Sequence, residues 1–343
     1  MDLVTLTEAG LYCPAGDFFI DPARPVARAV ITHAHADHAT TGHGAVLCSA
    51  EGAGITRLRV GPQPTLEALP WGEPRQIGDA RVSLHPAGHI LGSAQVRIEV
   101  AGEVWVASGD YKVEPDPTCT AFEPVQAHTF ITESTFGLPV YRWPAQRQVV
   151  ADMASWWQRN QAADRASVLF VYALGKAQRI LAGLGTLLGD DCGPIVVHGA
   201  MTALTDAYRA AGVRLPQTSL VSALPKDFPW HQALVLAPPS AQGTPWMRRF
   251  GAYADAYASG WMLVRGQRRR RAVDRGFVLS DHADWPGLLQ AIEATRAQRV
   301  LVTHGQVPVL VRWLAEQGLQ AGALEAGYGG EQELETAVTV PDA

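Results

Sequence analysis

From Leu3 to roughly Glu133 the chain is built of short apolar or alternating runs separated by Gly and Pro: Phe18-Phe19-Ile20, Val30-Ile31, Val46-Leu47-Cys48, Val82-Ser83-Leu84, Gln95 to Val100, Val104-Trp105-Val106 and Phe130-Ile131. Runs of this length, bounded by turn formers, predict strands. Gln95-Val96-Arg97-Ile98-Glu99-Val100 alternates cleanly and reads as a strand with one wet face. After Pro144 the period changes: Val149, Met153, Trp156 and Trp157 fall on a helix from Ala145 to about Ala163. A strand at Val168 to Leu174, a helix at Lys176 to Leu188, a strand at Ile195-Val196-Val197, a helix at Thr202 to Ala211 and a strand at Leu234-Val235-Leu236 follow. Strands and helices that alternate at this length imply parallel βαβ units, hence a second α/β module. The first pattern then resumes. Phe277-Val278-Leu279 leads into Ser280-Asp281-His282, a helix follows Pro286, Val300-Leu301-Val302 leads into Thr303-His304-Gly305, and a helix runs on past Trp313. The acidic end, Glu331 to Ala343, reads as frayed or as a short edge strand.

With 343 residues and 47% hydrophobic content, the chain can hold two ordinary cores or one large α/β domain with an insertion. A net charge of −5 gives no global basic field, so any nucleic-acid contact must come from local Lys/Arg clusters. Cys13, Cys48, Cys119 and Cys192 form no C-x-x-C pair, which argues against a structural zinc knuckle and fits reduced, buried thiols. The N-terminal residues lack the basic and apolar regions of a leader, and no apolar run approaches a membrane span. The expectation is a soluble cytoplasmic protein without a membrane partner.

Thr32-His33-Ala34-His35-Ala36-Asp37-His38 directly follows Ala29-Val30-Ile31. A strand ending at Thr32 leaves His33 and His35 on one side, where two neutral imidazoles can grip a metal ion while Asp37 and His38 turn toward a second. Imidazole and carboxylate together suit zinc or manganese, and an incomplete protein shell leaves a position for water, as a catalytic site needs. Four further segments place a ligand-type residue after a strand: His89 in Pro86-Ala87-Gly88-His89, Asp110 after Val106-Ala107-Ser108-Gly109, Glu133 after Phe130-Ile131-Thr132, and His304 after Val300-Leu301-Val302-Thr303. Each alone is a common turn or capping residue. Their recurrence matters because the carboxyl edges of neighbouring strands converge on one crevice, where separate loops pool ligands. The pooled set is five histidines and two aspartates, enough for two metals sharing one aspartate. His43, His85, His128, His198 and His231 have no such partners in the pattern and read as structural or exposed. Lys176, after Gly175 at a helix start, is a candidate phosphate contact. Arg268, Arg269, Arg270 and Arg271 form a run that would grip backbone phosphates in an otherwise acidic chain.

Together these motifs resemble the metallo-β-lactamase fold, and specifically its β-CASP nuclease branch. Asp21 resembles the first motif, the His33 to His38 cluster the second, His89 the third and Asp110 the fourth. Glu133 in Glu-Ser-Thr-Phe-Gly resembles motif A of the branch, His282 in Ser-Asp-His-Ala-Asp-Trp motif B, and His304 motif C, while Tyr172-Ala173-Leu174-Gly175-Lys176-Ala177-Gln178 matches a segment typical of it. The loop Ala237-Pro238-Pro239-Ser240-Ala241-Gln242-Gly243 departs from the segment usual there.

The resemblance implies an αββα sandwich over residues 1–142 and 276–343, interrupted by a β-CASP α/β domain at 143–275. It assigns His33, His35 and His89 to one divalent ion, Zn or Mn, and Asp37, His38 and His304 to a second, with Asp110 bridging. Asp21 would hold a ligand imidazole, His282 would act at the leaving oxygen, and Glu133 would steer it. The implied activity is phosphodiester hydrolysis by a hydroxide held between two metals. The motif set looks most like the bacterial ligase-associated DNA exonucleases, which implies 5′-to-3′ DNA degradation in a DNA ligase/helicase repair pathway, with DNA preferred over RNA. An RNA nuclease of the RNase J or 3′-end-cleavage type is the alternative. A catalytically inactive nucleic-acid-binding scaffold is a third reading, disfavoured because no ligand position is missing.

Overall fold

A computed structural model of the protein describes residues 2–189, 193–264 and 273–324. Among the described residues, contacts divide the chain into two units: those up to Arg142 together with 282–324, and those from Trp143 to Asp281. The Arg268 to Arg271 run, Cys192 and the acidic end from Glu331 to Ala343 lie outside the described residues.

The first unit opens with a six-stranded sheet in sequential order: β1 (Thr5–Thr7), β2 (Gly10–Cys13), β3 (Phe18–Ile20), β4 (Arg28–Val30), β5 (Ala45–Ser49) and β6 (Thr65–Leu69). The first two pairings are antiparallel and the rest parallel, the helix α1 (Ala53–Val60) crossing between β5 and β6. The chain then forms β7 (Arg75–Ile77), β8 (Ala80–Pro86), β9 (Ala94–Val100), β10 (Glu103–Ala107) and β11 (Thr129–Ser134). Ala101 and Gly102, at φ 50 and 85, make the tight β9–β10 turn, in which positive φ at both positions matches the twist of the strands.

The second unit is α/β. Helix α2 (Gln146–Ala162) precedes β12 (Ala166–Phe170), α3 (Lys176–Leu188), β13 (Ile195–Val197), α4 (Gly199–Ala210), β14 (Ser219–Leu220), β15 (Leu234–Ala237), β16 (Tyr253–Ala258) and β17 (Arg275–Phe277). These strands make one sheet in the order β14-β13-β15-β12-β16-β17, every pairing parallel, as the alternation of strand and helix predicts. A parallel sheet must be covered on both faces. On one face Leu169, Ile195, Leu234 and Ala256 pack against Met153, Trp157, Ile180 and Leu184 of α2 and α3. On the other, Val168, Val196 and Val235 pack against Met247, Phe250 and Met262, which come from short 3-10 turns.

The first unit is completed by α5 (Trp285–Thr295), β18 (Arg299–Gly305), α6 (Val307–Glu316) and β19 (Gln320–Ala323). Asp284 caps α5 by accepting the Gly287 N–H at 3.0 Å, with Pro286 in the first turn. The second sheet runs β19-β18-β11-β10-β9-β8-β7. Strand periodicity then separates the faces. Trp105, Ala107, Ile131 and Leu301 share one core with Leu11, Phe18, Val30 and Leu47 of the first sheet, so the two sheets pack face to face. The alternate residues Val106, Phe130, Val300 and Val302 pack against Leu288, Ile292, Leu310 and Leu314 of α5 and α6. On the outer face of the first sheet Ala29, Ile31 and Val46 meet Val60 of α1.

Three local expectations shift. The β12 strand ends at Phe170 rather than Leu174, because the chain must turn through Gly175 (φ 89) to start α3. Likewise β17 ends at Phe277, short of Leu279. In β9 the polar face is only partly wet: Gln95 is fully buried, its amide donating to the Pro86 and Glu123 carbonyls. Among the described residues no helix is long and apolar enough to cross a membrane.

Candidate metal centre

The ladders orient the site. β9 is antiparallel to both β8 and β10, while β11 and β18 run parallel to β10. β8, β10, β11 and β18 therefore point the same way and present their carboxyl ends at one sheet edge. His89 follows β8, Asp110 follows β10, Glu133 lies at the end of β11 and His304 at the end of β18. From the first sheet β4 delivers Thr32 to His38, with His38 N–H and Ala39 N–H both donating to the His35 carbonyl in a tight turn.

Two loops depend on close backbone approach. A Cβ at Gly88 (φ +71) would lie 2.3 Å from the Lys112 carbonyl oxygen, and one at Gly109 (φ +56) would lie 2.8 Å from Thr32 Cβ. Ser93 Oγ holds the His89 loop by accepting the His89 and Ile90 N–H groups at 3.0 and 3.2 Å.

The fold brings the expected ligands together. His33, His35 and His89 form a cage of mutually near-perpendicular rings, with centroids 4.8 to 4.9 Å apart. Their ligand atoms and an Asp110 oxygen all lie within 4.8 Å of one another. The Asp110 carboxylate sits at the hub: His33 Nε2 is 3.5 Å away, His38 Nε2 3.4 Å, His304 Nε2 3.3 Å and His89 Nε2 3.9 Å. Asp37, partly exposed, lies at the rim, 3.6 Å from His38 Nε2. Asp21 stands behind the cluster. Its carboxylate accepts the Thr32 N–H at 2.7 Å, the Thr32 hydroxyl at 2.5 Å and the His38 Nδ1 at 2.8 Å. Those three donors occupy its oxygens, and it lies close enough to His33 and His38 to be grouped with them.

The donor set fits divalent metal. His33 is buried at 2% exposure, and among the described residues its Nε2 has no hydrogen-bond partner. A buried polar nitrogen left so is costly unless a cation takes its lone pair. The electrostatics agree. Burial drives the His33 imidazole well below its ordinary 6.5, and the neighbouring His38 adds to this. In His38 burial acts the same way, but the carboxylates of Asp110 and Asp37 override it and raise the ring well above 6.5. Burial opposes ionisation of Asp110, yet His38 and His282 hold it well below the usual carboxylate range. A compact anion is thus ringed by imidazoles, as in a site built for positive charge.

Beside the cage lies a second pair. His282 Nδ1 is 3.0 and 2.9 Å from the two Glu133 oxygens, and Glu133 also accepts the Tyr111 N–H at 2.9 Å. Both side chains are buried, and the His282 ring is 4.6 Å from that of His89. A carboxylate on Nδ1 orients the imidazole and directs its proton chemistry to Nε2.

Lys176 differs from an exposed lysine reaching for phosphate. It is 1% exposed, with Nζ 3.3 Å from Asp281 Oδ1 and 5.5 Å above the Tyr172 ring. His43 and His198 are structural: the first bonds the Val26 N–H and Thr40, the second caps α4 through the Ala200 N–H. Thr32 and Thr303, whose hydroxyls touch His33 and His304 Nδ1 at 3.0 Å, were not singled out from the sequence. The signal was present as a repeated Thr-His dipeptide at two strand ends.

No protein-family model matches the chain. It is 34% identical over 335 residues to a "Probable DNA ligase" of Opitutus terrae, covering 96% of this chain and 31% of that protein. It is 32% identical over 123 residues to the endoribonuclease YSH1 of Gibberella zeae, and 30% identical over 118 residues to the cleavage and polyadenylation specificity factor 73 of Drosophila melanogaster. Each of these two matches covers 34% of this chain, and they span 14% and 17% of the relatives. The chain thus spans about a third or less of the curated relatives it matches. Among solved structures, a protein of unknown function from Enterococcus faecalis shares the fold, with TM-score 0.55 and 13% identity over 80% of this chain and 74% of the other. The chain is therefore similar along nearly its whole length to part of a ligase-named protein, and over a third of its length to an endoribonuclease and to a cleavage and polyadenylation specificity factor.

Proposed function

We propose that the chain is a metallo-β-lactamase-fold nuclease of the β-CASP branch, a metal-dependent phosphodiesterase that degrades DNA from an end, 5′ to 3′. The observation that carries the reading is the Asp110 carboxylate with three imidazole Nε2 atoms within 3.5 Å, drawn from β4, β10 and β18 ends. His33, His35 and His89 would hold one divalent cation, Zn or Mn, and Asp37, His38 and His304 a second, with Asp110 between them. Bound there, such cations supply the acidity that makes hydroxide from water at neutral pH and the charge that neutralises the phosphoryl oxygens. The protein's own contribution is to orient and to move protons. Asp21 holds His38, and Glu133 holds His282 so that its Nε2 protonates the departing oxygen. The inserted β-CASP domain is assigned to 143–275, with the metallo-β-lactamase domain at 1–142 and 276–343.

DNA is favoured because the ligase-named relative matches 96% of the chain, whereas the RNA-cleavage relatives match 34%. A repair pathway in which a ligase seals the trimmed product fits that relative's name. The competing reading, an RNA-processing nuclease, is favoured by those same RNA-cleavage relatives and by His304, a residue commoner at that motif in RNA-directed members. The test supplies end-labelled single-stranded DNA and RNA of matched sequence, with zinc and with manganese, alongside metal analysis. Two metals per chain and mononucleotide release from DNA, blocked by a modified 5′ end, are expected. Faster cleavage of RNA, or internal cuts in a circular strand, would move the assignment to the RNA-processing class. Full activity at one metal per chain would overturn the binuclear site.

A further inference from the structure

We propose that Thr32 and Thr303 are positioning residues, each fixing the tautomer of the histidine that follows it so that His33 and His304 present Nε2 lone pairs toward Asp110. The inference rests on the metal-centre reading above. It comes from donor and acceptor counting. A threonine hydroxyl has one proton to give and lone pairs to accept with. Thr32 Oγ1 lies 2.5 Å from Asp21 Oδ2 and 3.0 Å from His33 Nδ1. The carboxylate accepts, so the hydroxyl proton goes to Asp21 and the Nδ1 contact must be a ring N–H donated to the hydroxyl. In the neutral ring the lone pair then stands on Nε2, the atom 3.5 Å from Asp110.

Thr303 repeats the device with a different terminal acceptor. Its Oγ1 lies 3.2 Å from the Thr132 carbonyl of the neighbouring strand β11 and 3.0 Å from His304 Nδ1. A carbonyl cannot donate, so the hydroxyl proton goes to Thr132 and the His304 ring must again donate from Nδ1. Its Nε2 is the atom 3.3 Å from Asp110. His38 likewise turns its Nδ1–H to an acceptor, here without a relay, at 2.8 Å from Asp21. Three rings on two elements are thus set alike by three different acceptors. Both threonines are buried, at 1% and 6% exposure, and both line one cavity of about 20 Å³ together with Asp21, His38 and His304. β-Branching limits the χ1 freedom of each, which keeps the hydroxyl aimed at the ring. Valine has the same shape and no hydroxyl, so it separates the relay from strand packing.

The experiment uses the full chain labelled with 15N-histidine, long-range proton–nitrogen correlation to read each tautomer, and competition against a chromophoric chelator to measure zinc affinity. Wild-type His33 and His304 should read as Nδ1–H. Thr32→Val and Thr303→Val should each lose about ten- to a hundredfold in zinc affinity, and Thr32→Ser and Thr303→Ser should restore it to within about threefold. An Nε2–H tautomer in the wild type overturns the proposal without any variant. Valine variants that bind zinc as wild type does, while His33→Ala loses it, overturn the positioning role and leave the metal centre standing. Zinc affinity indifferent to His33→Ala, or absent from the wild type, removes the metal-centre reading and the relay with it.

Discussion

Replacing Asp21 by Asn probes the support proposed behind His33 and His38 without touching a proposed ligand. Asp21 sits at φ 44, in the left-handed region that Asn tolerates almost as well, so the backbone should not move. The amide oxygen can still accept the Thr32 N–H, which leaves the NH2 facing the Thr32 hydroxyl and His38 Nδ1, now 2.5 and 2.8 Å from the buried carboxylate. Two donors would then meet a third. Hydrogen bonds to a charged group contribute about 1.5–3 kcal/mol each, so losing two costs about 3–5 kcal/mol after partial relaxation. That is a large fraction of the roughly 5–15 kcal/mol that holds a domain folded. To escape the clash His38 must give up its Nδ1 proton and keep only the one on Nε2, the atom it turns toward Asp110. Urea unfolding of the chelator-treated protein should show the stability loss, and zinc competition should show weakened binding in the same variant. Asp21→Ala should be worse by about 1–2 kcal/mol, because alanine also resists the left-handed backbone. A midpoint within about 0.5 kcal/mol of wild type, with zinc affinity unchanged, would refute the reasoning.

Glu133→Gln should lower kcat by about 10²–10⁴ while bound zinc and KM stay near wild type, since it misdirects the proton on His282 without removing a ligand; single-turnover rates and metal content check this. Lys176→Met removes the ammonium 3.3 Å from the fully buried Asp281 and should cost about 3–5 kcal/mol in urea unfolding, with the Lys176→Met/Asp281→Leu pair costing less. In metal-free protein the pH dependence has two limbs. His33, lowered well below 6.5 when folded, makes stability fall as pH drops below about 6.5, whereas His38, raised well above it, contributes fully below that point and loses its contribution as pH rises through its folded value. Unfolding midpoints between about pH 5 and 9 should therefore peak near 6.5, and His38→Gln should remove the alkaline fall and lessen the acid one, since His38 adds to the depression of His33.

The candidate site residues stand in a local pattern. A ligand-type residue just past an apolar strand run is a short-range pattern, so the His33 to His38 cluster, His89, Asp110, Glu133 and His304 could be chosen without coordinates. The strands that end at the candidate site and the alternation of strand and helix from α2 to β15 were legible for the same reason, because side-chain alternation and helical spacing depend only on neighbours. Short edge strands such as β1, β7 and β14 were not, having too few residues to show a period.

Geometry belonged to the tertiary structure. His304 meets Asp110 because β18 pairs with β11, which pairs with β10, and a pairing between strands about 170 residues apart leaves no trace in either segment. The same holds for what each polar group touches. Lys176 read as a helix-start lysine for a phosphate, and only the folded chain brings the Asp281 carboxylate to it. Gln95 looked wet until Pro86 and Glu123 offered carbonyls to its amide. Thr32 and Thr303 looked like strand residues, and only the folded chain brings the Asp21 carboxylate and the Thr132 carbonyl to accept hydrogen bonds from their hydroxyls. Residue type is a property of one position, but hydrogen-bond direction, burial and charge balance are properties of pairs, and the pairs exist only once the chain has folded.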